Sequence, residues 1–179
     1  MSEPRFGVDS TREFVPLAIA VLTISDTRTE ETDTSGRLLA ERARAAGHVV
    51  VSKVIVTDDA ELIEAQLRAW VANDAVQVVI ATGGTGITGR DVTPEAFAAV
   101  CDKEIPGFGE LFRQISLKTI GLSAIQSRAM AGVAGQTLLF ALPGSTGACR
   151  DAWDEILVHQ LDSRYRPCNF AELLPRLGE

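Results

Sequence analysis

The sequence predicts an α/β protein, a three-layer α/β/α sandwich with a mostly parallel central sheet, on three observations. Four apolar runs, at residues 17–24, 49–56, 76–81 and 137–142, have the near-continuous character of strands covered on both faces, as in parallel sheets. Segments with apolar residues at helical spacing stand between them. Each run then opens into polar or glycine-rich sequence, and in a parallel sheet such segments meet beyond the carboxyl ends of the strands.

Residues 1–14 are expected as a flexible N-terminal lead-in and residues 15–179 as a single domain. After LAIAVLTI (17–24), a helix over 33–46 places Leu39, Ala43 and Ala46 on one face, and Gly47 stands where a left-handed cap would end it. VVVSKVIV (49–56) precedes a helix over 59–73 whose Ile63, Leu67, Trp70 and Val71 share a face, with Asp59 the better cap. VQVVIA (76–81) leads into the glycine-rich stretch. Thr93 and Pro94 then read as N-cap and first residue of a helix through Cys101, and a further helix fits 108–118. Residues 123–135 are ambiguous, compatible with an irregular strand ending in a turn. TLLFAL (137–142) precedes a helix over 148–161 that turns Trp153, Ile156, Leu157 and Leu161 inward. The proline-containing tail RYRPCNFAELLPRL is expected to wrap the surface or a neighbouring subunit.

Composition narrows the function classes. At 179 residues the chain suits one domain, and area scaling lets it bury about 70% of its surface, so neither disulfides nor a structural metal is needed. With 46% apolar and 23% charged residues it is not disordered or fibrous. Seventeen Lys and Arg against 24 Asp and Glu leave a net charge of −7, which repels nucleic acid and anionic lipid but leaves room for a small anion in a local pocket. Three scattered cysteines and two histidines supply no zinc framework. The first residues have no apolar signal core, and no run approaches a membrane span, so a soluble cytoplasmic protein is expected.

The chemistry sits in the segments after the strands: Ser25, Asp26 and Thr27; Thr57, Asp58 and Asp59; TGGTGITGRD (82–91); and PGSTG (143–147). Glycines let backbone amides approach an anion, and a helix beginning after Gly147 adds positive dipole. Carboxylates repel phosphate unless a cation bridges them, so Asp26, Asp58 and Asp91 beside these loops imply Mg²⁺ and metal-assisted phosphoryl or nucleotidyl transfer. Plainer readings exist: an aspartate at 58 or 59 as a helix cap, and PGSTG as a tight connection. Gly84, Gly86 and Gly89 with Glu104 imitate a dinucleotide fingerprint, but no helix follows at once; the loop also imitates a Walker A motif, with Arg90 and Asp91 in place of its lysine and hydroxyl. Neither His48 nor His159 has a nucleophile beside it in sequence.

Taken together, ISD (24–26), the Asp58 loop, TGGTG with RDVTPEA (90–96), IPGFGELFRQIS (105–116) and LPGSTGACRDAWDEIL (142–157) resemble the MoaB/MogA family of molybdenum cofactor biosynthesis proteins. The resemblance runs from about Pro16 to the C-terminus, and IQSRA (125–129) and RPCNF (166–170) bring it nearest the MoaB branch. It implies a molybdopterin-binding domain fold, homo-oligomers (hexamer favoured, trimer the alternative), and adenylylation of molybdopterin by Mg²⁺-ATP with release of pyrophosphate. By the same resemblance Asp58 and Asp91 are the catalytic and metal-holding residues. Ser25, Asp26, Thr82, Gly83, Gly84, Thr85, Gly86 and Arg90 match substrate-contacting stretches, as do Pro106, Gly107, Phe108 and Glu110, and Pro143, Gly144 and Ser145. The alternative it allows is a non-catalytic molybdopterin-binding or scaffold protein serving other enzymes of the cofactor.

Overall fold

Strand β2 (Ala18–Ile24) builds two cores at once, because its side chains alternate across the sheet. Ile19 and Val21 face a cluster that includes Leu39, Phe108, Phe112 and Trp153, whereas Ala20, Leu22 and Ile24 face Ile63, Leu67, Trp70 and Phe97. The computed structural model describes residues 6–179, and in them these clusters are the two faces of one six-stranded sheet. A short β1 (Gly7–Val8) precedes β2. Helix α1 (Thr34–Ala45), strand β3 (Val49–Val56), helix α2 (Ala60–Val71), strand β4 (Val78–Thr82) and helix α3 (Thr93–Val100) follow.

Beyond α3 come β5 (Lys103–Glu104), α4 (Pro106–Ile120), a 3₁₀ turn (Gly121–Gln126), β6 (Met130–Ala134) and β7 (Thr137–Leu142). The last long helix begins as α5 (Thr146–Ala152), passes through a π turn (Trp153–Leu157) and ends as α6 (Val158–Gln160). The strand order is β3-β2-β4-β7-β6-β5. The four strands from β3 to β7 are parallel, as the apolar runs predict; β6 is antiparallel to β7, and β5 to β6. Helices α1, α4 and α5 supply residues to one cluster and α2 and α3 to the other, giving three layers.

Register brings the site loops to one level. Thr23 pairs with Thr82, Thr82 with Leu142, and Ile24 with Val56, so four chain segments leave the sheet side by side. The caps behave as their chemistry requires: Asp59 accepts from the amides of Glu61 and Leu62, and Asp33 from that of Gly36. Thr93 differs from expectation. Val92 holds the cap position, and the Thr93 hydroxyl is turned to the Gly83 carbonyl at 2.8 Å.

Helix α4 starts at Pro106, two residues before the sequence reading, because proline is pre-shaped for a first helical turn. The ambiguous region resolves into the 3₁₀ turn and β6, which turns at Gly135 into β7. The expected lead-in at residues 1–5 lies outside the described residues. Residues 6–14 are held rather than loose: β1 pairs with β8 (Tyr165–Arg166), Arg12 with Glu172, and the Ser163 hydroxyl donates to the Glu13 carbonyl at 3.0 Å. The tail wraps its own chain through α7 (Phe170–Leu173), with Ala171 and Leu174 entering the α1/α4/α5 core.

Candidate functional site

A cavity of about 450 Å³ opens beyond the carboxyl ends of the parallel strands. Its floor is the glycine loop after β4. The Gly83 amide donates to Leu142 at 3.0 Å, and the carbonyls of residues 83–86 are all tied back. Thr93 holds Gly83 through its hydroxyl and Gly84 through its amide; Arg128 holds Thr85 through its amide and Gly86 through its side chain. The amides of Gly84 and Thr85 have no protein acceptor among the described residues. Such a run of amides, with every carbonyl turned away, is an anion cradle.

The glycines are there because carboxylates press against the loop. Gly84 has φ of +63°, and a Cβ there would meet the Thr93 hydroxyl and lie 3.2 Å from Asp58 Oδ1. A Cβ on Gly86 would lie 2.6 Å from Asp91 Oδ2. Asp58 and Asp91 thus flank the cradle, one against each glycine.

Their environments differ. Burial raises the Asp58 pKa above its ordinary value, and the negative charges of Asp26 and Asp91 add to it. For Asp91 burial acts in the same direction but is outweighed. The Thr88 hydroxyl and amide, at 2.7 and 2.8 Å, together with the Gly86 amide and the Arg128 charge, hold that carboxyl below its ordinary value.

The opposite wall comes from the loop after β7. Ser145 caps α5 by accepting from Ala148 N at 3.1 Å, while the carbonyls of Gly144 and Pro143 accept from Ser35 and Thr82, both at 2.9 Å. That again turns carbonyls inward to the protein and leaves a helix N-terminus facing the cavity.

Ser25, Asp58, Thr82, the Gly83–Gly86 loop, Asp91 and the Pro143–Ser145 loop all line this one cavity. Asp26 and Arg90 are not among the lining residues, although their neighbours Ser25 and Asp91 are, and they are committed to each other, with Arg90 Nη2 2.6 Å from Asp26 Oδ2. Arg90, which the resemblance places among the substrate-contacting stretches, is paired here with Asp26. Pro106, Gly107, Phe108 and Glu110 are away from the cavity. Phe108 is buried against Phe112 and Phe140, Gly107 is in the first turn of α4, and Pro106 and Glu110 line a separate recess beside Arg113. Glu104, the acidic residue of the dinucleotide reading, is on β5 at the far edge of the sheet.

The structure adds residues that the sequence reading does not single out. Arg28 and Asp33 reach the cavity from the connection between β2 and α1, Ser35 from the first turn of α1, Phe112 and Ser116 from α4, and Gln126 and Ser127 from beyond it. Arg28 is the one basic side chain lining the cavity among the described residues. Asp33 is 1% exposed and paired with Lys53 at 2.8 Å. Phe112 and Ser116 follow Phe108 at steps of four, so the quoted IPGFGELFRQIS block does reach the site, through its second half.

A family model described as a probable molybdopterin binding domain matches residues 20–163. The chain belongs to that family. Molybdenum cofactor biosynthesis protein B of Escherichia coli (strain K12) is 56% identical over 158 residues, covering 88% of this chain and 93% of the relative. The protein of the same name from Bacillus subtilis (strain 168) is 43% identical over 142 residues, or 79% and 84%. A crystal structure of a molybdenum cofactor biosynthesis protein B superposes with a TM-score of 0.84 at 46% identity, over 93% of this chain and 98% of that one. The tungsten cofactor synthesizing protein MoaB from Pyrococcus furiosus gives 0.74 at 32% identity, over 92% and 98%. The expected MoaB/MogA fold is therefore the observed one, and the protein has a role in molybdenum cofactor biosynthesis through a molybdopterin-binding domain. Among the described residues no helix is long and apolar enough to cross a membrane.

The donor set can be tested against the Mg²⁺ that the resemblance implies. Among the described residues no three His, Cys, Asp or Glu side chains form a metal-holding cluster. Two carboxylates do flank the phosphate-type cradle, and Asp58 Oδ1 has no hydrogen-bond donor among those residues. Mg²⁺ is ordinarily held by one or two carboxylates, substrate phosphates and water, so this set fits it.

Proposed function

We infer that the protein adenylylates molybdopterin with Mg²⁺-ATP and releases pyrophosphate. The observation that carries this reading is the meeting of two carboxylates with an amide cradle and a helix N-terminus in one cavity. A carboxylate pair alone would repel a triphosphate, and a cradle alone would only bind it. Together they suit phosphates that arrive with a cation.

In this reading an oxygen of the terminal phosphate of molybdopterin attacks the α-phosphorus of ATP, and the bond from that phosphorus to the β-phosphate bridge oxygen breaks. The free amides of Gly84 and Thr85 and the start of α5 at Ser145 hold phosphate oxygens in line. Arg28 adds the positive charge that Arg90 does not supply. Asp58 and Asp91 would hold Mg²⁺, which when bound offsets charge on the phosphate oxygens. Little covalent work remains for side chains, in keeping with a cavity that has no histidine or cysteine among the described residues lining it.

The test is direct. Purified protein given molybdopterin and Mg²⁺-ATP should form adenylylated molybdopterin and one pyrophosphate per turnover; pterin binding with no pyrophosphate would leave the scaffold role, with the product passed to other cofactor enzymes. We also read the protein as a cytoplasmic homo-oligomer, a hexamer before a trimer. Its three cysteines are unpaired, as in a reducing compartment, and Leu122 and Ile125, each 85% exposed, flank the cavity rim at Ile120 as a face for another copy. Light scattering decides the copy number.

A further inference from the structure

Arg128 lies outside the cavity wall, between the 3₁₀ turn and β6, yet all its polar arms go to the cradle or the helix behind it. Nε donates to the Gly86 carbonyl and Nη2 to the Asp91 carbonyl, both at 2.6 Å. Nη1 pairs with Glu95 in the first turn of α3, and the Arg128 amide donates to the Thr85 carbonyl at 2.9 Å. It therefore grips the segment from Thr85 to Asp91 near both ends. Between those ends the segment is held by bonds within itself, Asp91 N to Thr88 O and Thr88 to the Asp91 carboxylate, and by the exposed pair of Arg90 with Asp26.

The consequence is geometric. The planes that carry the Gly84 and Thr85 amides are held by Thr93, through the Gly83 and Gly84 carbonyls; what the Arg128 side chain fixes is the next stretch, the Gly86 and Asp91 carbonyls. Freeing the Gly86 carbonyl loosens the turn that sets the Gly86 amide against the Asp91 carboxylate, and freeing the Asp91 carbonyl lets that carboxylate drift from its place beside Gly86. Arg128 is paired with Glu95, and its charge also reaches the Asp91 carboxylate, which it helps to keep ionised. The planar guanidinium can span two carbonyls and a carboxylate at fixed angles; a lysine, with one ammonium, cannot.

We propose that Arg128 is a positioning residue that holds Asp91 against the Gly86 end of the cradle, in the arrangement needed for phosphoryl-group chemistry. This rests on reading the loop as a phosphate cradle. Within the motif IQSRA, Gln126 and Ser127 line the cavity, and the arginine acts on the loop from behind it.

The full chain is compared with Arg128→Ala, Arg128→Lys and Glu95→Gln. Hydrogen exchange without ligand should be at least about tenfold faster at the bonded amides of Thr88 and Asp91 in the Ala and Lys variants, with the core strands unchanged. Glu95→Gln keeps both carbonyl bonds and should stay within about threefold of the parent loop. In the pyrophosphate assay, Arg128→Ala should lose about 100-fold in kcat with a much smaller change in KM, and millimolar guanidinium should restore part of the rate saturably in this variant alone. Unaltered loop exchange in both arginine variants, or kcat within about twofold of the parent, overturns the proposal. If Arg128→Ala does not fold, the Lys variant carries the same test. A parent protein that makes no pyrophosphate refutes adenylylation separately, and the exchange measurement still decides the role of Arg128.

Discussion

Replacing Lys53 by methionine removes the ammonium that keeps Asp33 charged inside the protein while retaining most of the aliphatic stem. Lys53 Nζ is 2.8 Å from Asp33 Oδ2 and 2.9 Å from Glu30 Oε2; the Asp33 side chain is 1% exposed and that of Lys53 18%. Burial works to raise the pKa of Asp33, but Lys53, the Gly36 amide and the Thr23 hydroxyl together hold it below 3.8. Removing one partner of a buried pair costs about 3–5 kcal/mol, and the partial solvent contact of Lys53 favours about 3. Urea unfolding near pH 7 measures the loss. In the parent the depressed pKa gives stability that is present above 3.8 and is lost as the pH falls through the folded value. In the variant burial prevails, the folded pKa rises above 3.8, and the penalty grows with pH through that interval. The difference between the two proteins should therefore be largest near neutrality and shrink towards pH 4. A loss below about 1 kcal/mol at pH 7, or one that does not change with pH, would show that Lys53 is not what keeps Asp33 ionised.

Asp58→Asn and Asp91→Asn should each lower kcat by about 100-fold or more with a much smaller loss of pterin affinity; equal losses in pyrophosphate release and pterin titration would contradict a metal-holding role. Gly84→Ala forces a Cβ into a left-handed position against Thr93 and Asp58, so urea unfolding should show a loss of about 2–4 kcal/mol, and a loss under about 0.5 would refute the packing described. His48 is buried, with the Leu17 amide donating to its Nδ1 at 3.1 Å; burial holds its pKa below 6.5 despite the opposing charge of Asp162. Its neutral form therefore contributes stability that is complete above pH 6.5 and is lost as the pH falls through the folded value. Melting temperature should drop over that interval, and His48→Gln should flatten the drop.

The central strands can be read from the sequence because parallel strands covered on both faces leave long apolar runs. Strand β6 is legible only as an irregular strand within an ambiguous region, since MAGVA is short and carries a glycine for a steric reason: Gly132 passes close to Cys101 and the Lys103 carbonyl. The 3₁₀ turn hides for the opposite reason. Its Leu122 and Ile125 are exposed, so apolar spacing there does not report burial. The glycine loop and the aspartates after β3 and β4 were visible as polar sequence at strand ends. Arg28 was not, because residues 25–33 fold back through hydroxyl and carbonyl bonds such as Arg28 Nη1 to Thr32 O at 2.9 Å, which leave no periodic signal. The block at residues 105–116 was visible, but its contact with the site could be placed only once α4 was known to begin at Pro106. Phe108 then points into the core and Ser116, two turns later, towards the cavity.

The loops after β2 and β3 are tied by an exchange of equals: the Asp26 amide donates to the Asp58 carboxylate at 3.0 Å, and the Asp58 amide donates to the Asp26 carboxylate at 3.1 Å. Each aspartate is thus the template for the other's backbone. A change at either position reaches the neighbouring loop without any mutation there, and the two sites are expected to drift through evolution as a couple, being kept or discarded in one move.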